Sequence, residues 1–138
     1  MISQRARYAL RAIVALSRAG HSMRIADIAE TQRIPRKFLE HILLDLKRDG
    51  VVASRRGKLG SYDLLLRPDQ ITFGRILRLI DGPIALLPCL SKMAYRRCKD
   101  CDSEAACEIR RVFAKLAESA RELLDRTTIA DALDEHWR

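Results

Sequence analysis

All four cysteines of this 138-residue chain, Cys89, Cys98, Cys101 and Cys107, lie within a single stretch, and the preceding residues contain none. Thiolates are the soft ligands that select zinc and iron–sulfur clusters, and four of them together complete one coordination sphere. The run Cys98-x2-Cys101-x5-Cys107, preceded by Cys89, suits a [2Fe–2S] or [4Fe–4S] cluster. It also suits tetrahedral zinc, including a zinc knuckle that only shapes the loop, and spacing alone does not separate the two, since zinc sites often use two Cys-x2-Cys pairs and this chain has one. Cys107 falls in the first turn of a predicted long helix, where the helix dipole and unpaired amides favour a thiolate. Arg96, Arg97 and Lys99 can offset the negative charge of such a site.

A second group of chemically able residues lies upstream. Arg33, Arg36, Lys37, Glu40 and His41 gather at the start of one predicted helix, and Arg55, Arg56 and Lys58 gather at a predicted hairpin tip. Charge placement supports reading both as a surface for phosphates. Residues 1–60 hold 13 Lys or Arg against 5 Asp or Glu, whereas residues 61–138 hold 13 against 13, so the net charge of +8 comes entirely from the front segment. Arg36 and Lys37 are the candidates for bases or nearby phosphates, and Glu40 can accept from cytosine N4. The wing cations Arg55, Arg56 and Lys58 can reach backbone or the adjacent minor groove.

The elements that must position these residues follow from periodicity and punctuation. Residues 3–17 carry Tyr8, Leu10, Ile13, Val14 and Leu16 at helical spacing, and Gly20 ends the helix. A short helix over 24–30 is followed by the turn Thr31-Gln32-Arg33-Ile34. Pro35 then opens a third helix to about Arg48, with Phe38, Leu39, Ile42, Leu43 and Leu46 as its apolar stripe. Residues 51–54 and 62–66 read as two strands joined by the cation-rich, glycine-containing tip, which makes a wing. A fourth helix over 71–81 stops at Gly82-Pro83. Ser103 is the expected N-cap of a long helix to about Asp125, with Ile109, Val112, Phe113, Leu116, Ala120, Leu123 and Leu124 at steps of three and four. Thr127 or Thr128 caps a final short helix through Ile129 and Leu133. The fold class expected is mainly α, a winged helix-turn-helix with a small β-hairpin wing.

Other classes find little support. Thiol–disulfide enzymes place Cys-x2-Cys at a strand-to-helix junction in a βαβ context, which this pattern lacks. There is no Gly-rich phosphate loop, Ser-His-Asp set or paired acid–base carboxylates, so the expectation is a protein that is not an enzyme. No apolar run reaches the length of a membrane span and the start of the chain has no signal-peptide core, which predicts a cytoplasmic protein with no membrane partner.

Several motifs, in order along the chain, resemble a known family. They are Tyr8-Ala9-Leu10-Arg11, Phe38-Leu39-Glu40-His41-Ile42-Leu43, Ser54-Arg55-Arg56-Gly57 with Gly60 and Tyr62, Ile71-Thr72, Asp81-Gly82-Pro83, the cysteines, and Thr127-Thr128-Ile129-Ala130-Asp131. Together they look like the winged-helix regulators of the IscR, NsrR and RirA type. The resemblance covers nearly the whole chain. It implies a homodimeric transcription regulator, usually a repressor, whose long dimerisation helices cross at the interface and which binds a palindromic operator in double-stranded DNA. It also implies an iron–sulfur cluster reporting iron, cluster status, or redox and nitrosative stress. The implied organisation is a DNA-binding domain over 1–82, a cluster-binding loop over 83–108, and a dimerisation helix with a short C-terminal helix over 103–133.

Cys101-x5-Cys107 matches the family's closing cysteine pair, and Cys89 or Cys98 its first cysteine. Three positions depart from the pattern. Arg110 stands where IscR-like members place a histidine ligand, Arg7 where NsrR-like members supply an aspartate, and Gly60-Ser61-Tyr62 replaces Gly-Gly-Tyr in the wing. With no such ligands available, the extra cysteine is the source of the fourth, giving an all-cysteine set of Cys89, Cys98, Cys101 and Cys107. A zinc-stabilised or cluster-free thiol-switch regulator that still binds DNA is the alternative.

Overall fold

Ser3 opens the first helix, α1 (Gln4–Ala19), by accepting the Ala6 amide, and Gly20 closes it in the left-handed backbone region at φ 70°. A computed structural model describes the chain over residues 2–55 and 60–137. After α1 come β1 (Met23–Arg24), α2 (Ile25–Gln32), α3 (Arg36–Arg48), β2 (Val52–Ser54) and β3 (Ser61–Leu64). The second half contributes α4 (Phe73–Asp81), α5 (Glu108–Arg126) and α6 (Ile129–Leu133). This is the expected winged helix-turn-helix, mainly α, with a three-stranded antiparallel sheet in the order β1-β3-β2.

The core forms where the apolar faces of α1, α2 and α3 meet. Ile13, Ile28, Leu39, Ile42, Leu43 and Leu46 are fully buried there, together with Val51, Val52, Ile71, Ile76 and Ile129. Each such side chain contributes about 1.5–3 kcal/mol on burial, so this stripe fixes how α3 is held and which face it turns outward. The wing is anchored to the same core, since Val52 pairs with Leu64 and Tyr62 faces both Met23 and Ser54.

Three local expectations need correction, and one element was not expected. Phe38, assigned to the apolar stripe of α3, is 58% exposed. Ser103 does not cap the long helix; Cys107 does, its Sγ accepting the Arg110 amide at 3.4 Å, and α5 starts at Glu108. The fourth helix starts at Phe73, because Ile71 and Thr72 run extended alongside the segment entering α6. The two-residue strand β1 went unforeseen.

The last short helix returns to the front of the molecule. Phe73 donates to the Thr127 carbonyl at 2.9 Å, Ile129 donates to the Ile71 carbonyl at 2.8 Å, and Thr128 with Asp131 forms a capping box. Helix α5 meanwhile lies close against α4. A methyl group on Gly74 would come within 1.9 Å of Asp125 Oδ1, so only glycine permits this approach, and Arg78 pairs with Asp125 beside it.

Candidate nucleic-acid interface and cysteine site

Burying Leu39, Ile42, Leu43 and Leu46 leaves the opposite side of α3 to solvent, and Arg36, Lys37, Glu40 and His41 are all exposed on it. Arg36 Nε pairs with Glu40 at 3.3 Å, which holds the carboxylate back along the helix rather than out toward an approaching phosphate. Arg33 caps α2 with φ 54°, a left-handed conformation that costs a non-glycine residue about 1 kcal/mol, and its side chain is exposed in the turn ahead of α3. Arg55, at the root of the wing, donates to Asp63 at 2.7 Å across the β2–β3 pair. The expected wing contacts Arg56 and Lys58 lie outside the described residues. So α3 gathers four of the expected polar residues on its exposed side, Arg33 flanks its start, and Arg55 stands on the neighbouring hairpin.

The cysteines are spread along the irregular segment between α4 and α5. Cys89 is buried in a short 3-10 turn, Cys98 is exposed, and Cys101 and Cys107 are half-buried, all four as free thiols. The Cys101 amide donates to the Cys98 carbonyl at 3.3 Å, closing the Cys-x2-Cys turn, and Arg97 donates to the Cys101 and Asp102 carbonyls. Although Cys98 is exposed overall, partial desolvation, followed by the charges of Cys89, Asp100, Cys101 and Cys107, pushes its thiol above the ordinary value. The other three thiols thus lie within electrostatic reach of Cys98. The four are less tightly drawn than a closed metal site, for among the described residues no three His, Cys, Asp or Glu donors form a group that would hold an ion.

Arg110, the departure noted in the sequence, ties the two ends of this segment together. Its Nη2 donates to the Cys89 carbonyl at 3.3 Å and approaches Glu104 at 3.9 Å, while Tyr95 donates to the same Glu104. That bond raises the Tyr95 phenol above its ordinary value. The Arg110 Nε–H is buried and has no partner, an arrangement that normally costs about 1–3 kcal/mol. The sequence offered no signal for the Tyr95–Glu104–Arg110–Cys89 chain, because its members lie in an irregular segment where no helical or strand period sets which side chains meet.

A helix-turn-helix with its exposed cationic helix beside a wing, followed by a cysteine-bearing segment and a long helix, defines a winged-helix transcription regulator. The family model described as "Rrf2: Iron-dependent Transcriptional regulator" matches residues 2–135. The chain belongs to that family, and it is a DNA-binding regulator of transcription rather than an enzyme. It is similar to an rrf2-like HTH-type transcriptional regulator of Rhodobacter capsulatus, at 47% identity over 96% of this chain and 92% of the relative. Among solved structures it is similar to CymR of B. subtilis, the global cysteine regulator, with TM-score 0.74 and 29% identity over 96% of this chain and 94% of that one. It is likewise similar to T. potens IscR, with TM-score 0.73 and 26% identity over 96% and 85% of the two chains. Among the described residues no helix is long and apolar enough to cross a membrane.

Proposed function

We propose that this chain is a homodimeric regulator that holds an iron–sulfur cluster on Cys89, Cys98, Cys101 and Cys107, and that gaining or losing the cluster changes its grip on a palindromic operator. The observation that carries the proposal is the collection of all four thiols around the one segment that joins the DNA-binding core to α5, with Cys107 serving as the N-cap of that helix. The donor set fits such a group in chemistry, being four soft ligands and no hard ones. The orphaned Nε–H of Arg110 fits it as well, since a sulfur-rich anionic centre beside it would supply the missing acceptor and countercharge. The family's description as iron-dependent points the same way.

When bound, the cluster supplies a centre that responds to oxidants, nitric oxide and iron supply by changing charge or falling apart. The chain's own residues do the rest. Cys107 Sγ now accepts the Arg110 amide, and as a ligand it would leave that amide and so alter how α5 begins. The segment has room to move, because an apolar cleft of about 920 Å³ lies beneath it, lined by Leu77, Pro83, Leu86, Pro88, Ala120 and Leu124. Along α5, Ile109, Val112, Phe113, Leu116 and Leu123 stand exposed, an apolar stripe suited to a second copy of the same helix. A changed start to α5 is therefore carried into the spacing of the two α3 helices, whose half-sites lie about one DNA turn apart. In each half-site α3 enters the major groove with Arg36 and Lys37 toward bases or the phosphates beside them and Glu40 and His41 toward the bases. Arg33 and the wing cations Arg55, Arg56 and Lys58 hold backbone. In this organisation residues 1–82 bind DNA, 83–108 hold the cluster and 103–133 pair the subunits.

Single Cys-to-Ala variants purified without air test the ligand set. Each is expected to lose the visible absorbance of the cluster and to bind operator DNA like the metal-free protein. A variant that keeps the full spectrum removes that cysteine from the set. A cluster-free thiol switch is the second reading, favoured by the similarity to the cysteine regulator CymR and by the closed Cys98–Cys101 turn. Under it, diamide oxidation of iron-free protein changes DNA affinity and dithiothreitol restores it.

A further inference from the structure

We propose that Phe38 is a sequence-reading residue of this regulator, packing its ring on the 5-methyl group of a thymine in each half-site. The inference rests on α3 being the helix that enters the major groove. Phe38 belongs to a sequence pattern that should bury it, yet the fold leaves it 58% exposed in the first turn of α3, while its neighbour Leu39 is fully buried. An isolated apolar residue on a surface needs no explanation. This one, however, stands among Arg33, Arg36, Lys37 and His41, all exposed, on the helix end that a winged helix-turn-helix turns toward base edges.

Charge complementarity selects the occupant. A surface this cationic meets a polyanion, and within the major groove of DNA the one apolar group on any base edge is the thymine methyl. His41, three residues on from Phe38 and exposed like it, is the polar side chain on the ring's own side of the helix. An aromatic ring with an imidazole one turn away can meet a methyl and a polar base edge at neighbouring positions. A protein partner with an apolar groove would instead have to accept the surrounding cations.

The test starts from duplexes selected out of a random library by the full-length chain, purified without air. Each thymine of the winning site is then replaced by uracil, which removes the methyl and leaves base pairing intact. Affinity of the wild-type chain is expected to fall about fourfold per half-site at one symmetric thymine, the worth of one buried methyl. The Phe38→Ala variant, which loses the contact in both subunits, should bind the selected site at least about fifteenfold more weakly. It should also bind the thymine and uracil duplexes equally well. Phe38→Leu, which keeps an apolar side chain, should retain part of the discrimination. A thermal melt within a few degrees of wild type confirms that the variants are folded.

Wild-type indifference to uracil at every thymine overturns the inference. So does a Phe38→Ala variant that still discriminates thymine from uracil, since another residue then reads the methyl. If no duplex is enriched at all, the placement of α3 in the groove fails first and the inference falls with it.

Discussion

Arg110 touches two of the four cysteines. Its main chain binds one cysteine's sulfur, its guanidinium binds another's carbonyl, and its Nε–H is buried without a partner. A residue in that position ties the segment to Cys89 and, under the proposed function, would compensate an anionic centre bound beside it. Arg110→Ala should lower the stability of metal-free protein by only about 1 kcal/mol, because the lost bond is partly offset by release of the orphaned donor. The same variant should lose its iron–sulfur absorbance in air several times faster than wild type. Arg110→Lys should recover the charge but not the link to Cys89. Faster bleaching in both variants would assign the fork geometry, and in the alanine variant alone the charge. Arg33 offers a second test at this scale, since its left-handed φ of 54° is paid by a residue expected to touch DNA. Arg33→Gly should raise stability by up to about 1 kcal/mol in denaturant titrations while weakening DNA binding. A glycine variant that is no more stable would mean that the turn is unstrained.

Among the elements, what could be read from the sequence was whatever repeats or punctuates. The α3 stripe Leu39, Ile42, Leu43 and Leu46, the stop at Gly20, the capping Thr128 and the wing strands all follow local rules, and they lie where those rules put them. Phe38 did not, because its spacing fits the stripe by count but falls at the stripe's edge, where α3 has no neighbour to cover it. Strand β1 has two residues, too few for any period, and exists because β3 offers it an edge. The N-cap at Cys107 was missed because a thiol is a weak acceptor that capping preferences rank behind a nearby serine. Placing Ile129 in the core required the long-range pairing with Ile71, which no local pattern encodes. Ile129→Ala should therefore destabilise the DNA-binding core by about 2–4 kcal/mol, despite lying near the end of the chain. A chemical-denaturation loss below about 1 kcal/mol would show that α6 is an appendage. The cysteine cluster itself was legible as donor chemistry, whereas the Tyr95–Glu104–Arg110 chain around it was not.

For the molecule as a whole, charge and apolar surface divide the labour. The cationic excess sits in the first sixty residues and the exposed apolar stripe on α5, the two surfaces that the proposed function gives to DNA and to a second copy. Replacing Leu116 by Arg should convert dimers to monomers in light scattering and lower operator affinity by at least about tenfold, because each half-site is then bound alone. A dimer that persists would move the interface away from α5. Lys37→Ala should reduce the magnitude of the salt slope of DNA binding by about 2 for a dimer, one phosphate per subunit, and an unchanged slope would place Lys37 off the backbone.

The most direct measurement joins the two ends of the molecule. Protein prepared without air is assayed for iron and acid-labile sulfide, and its binding to a selected operator duplex is titrated before and after removal of iron, at one fixed salt concentration. An iron–sulfur switch predicts iron and sulfide in equal amounts and two clearly separated isotherms. Protein that contains neither, or isotherms that superimpose, would contradict it.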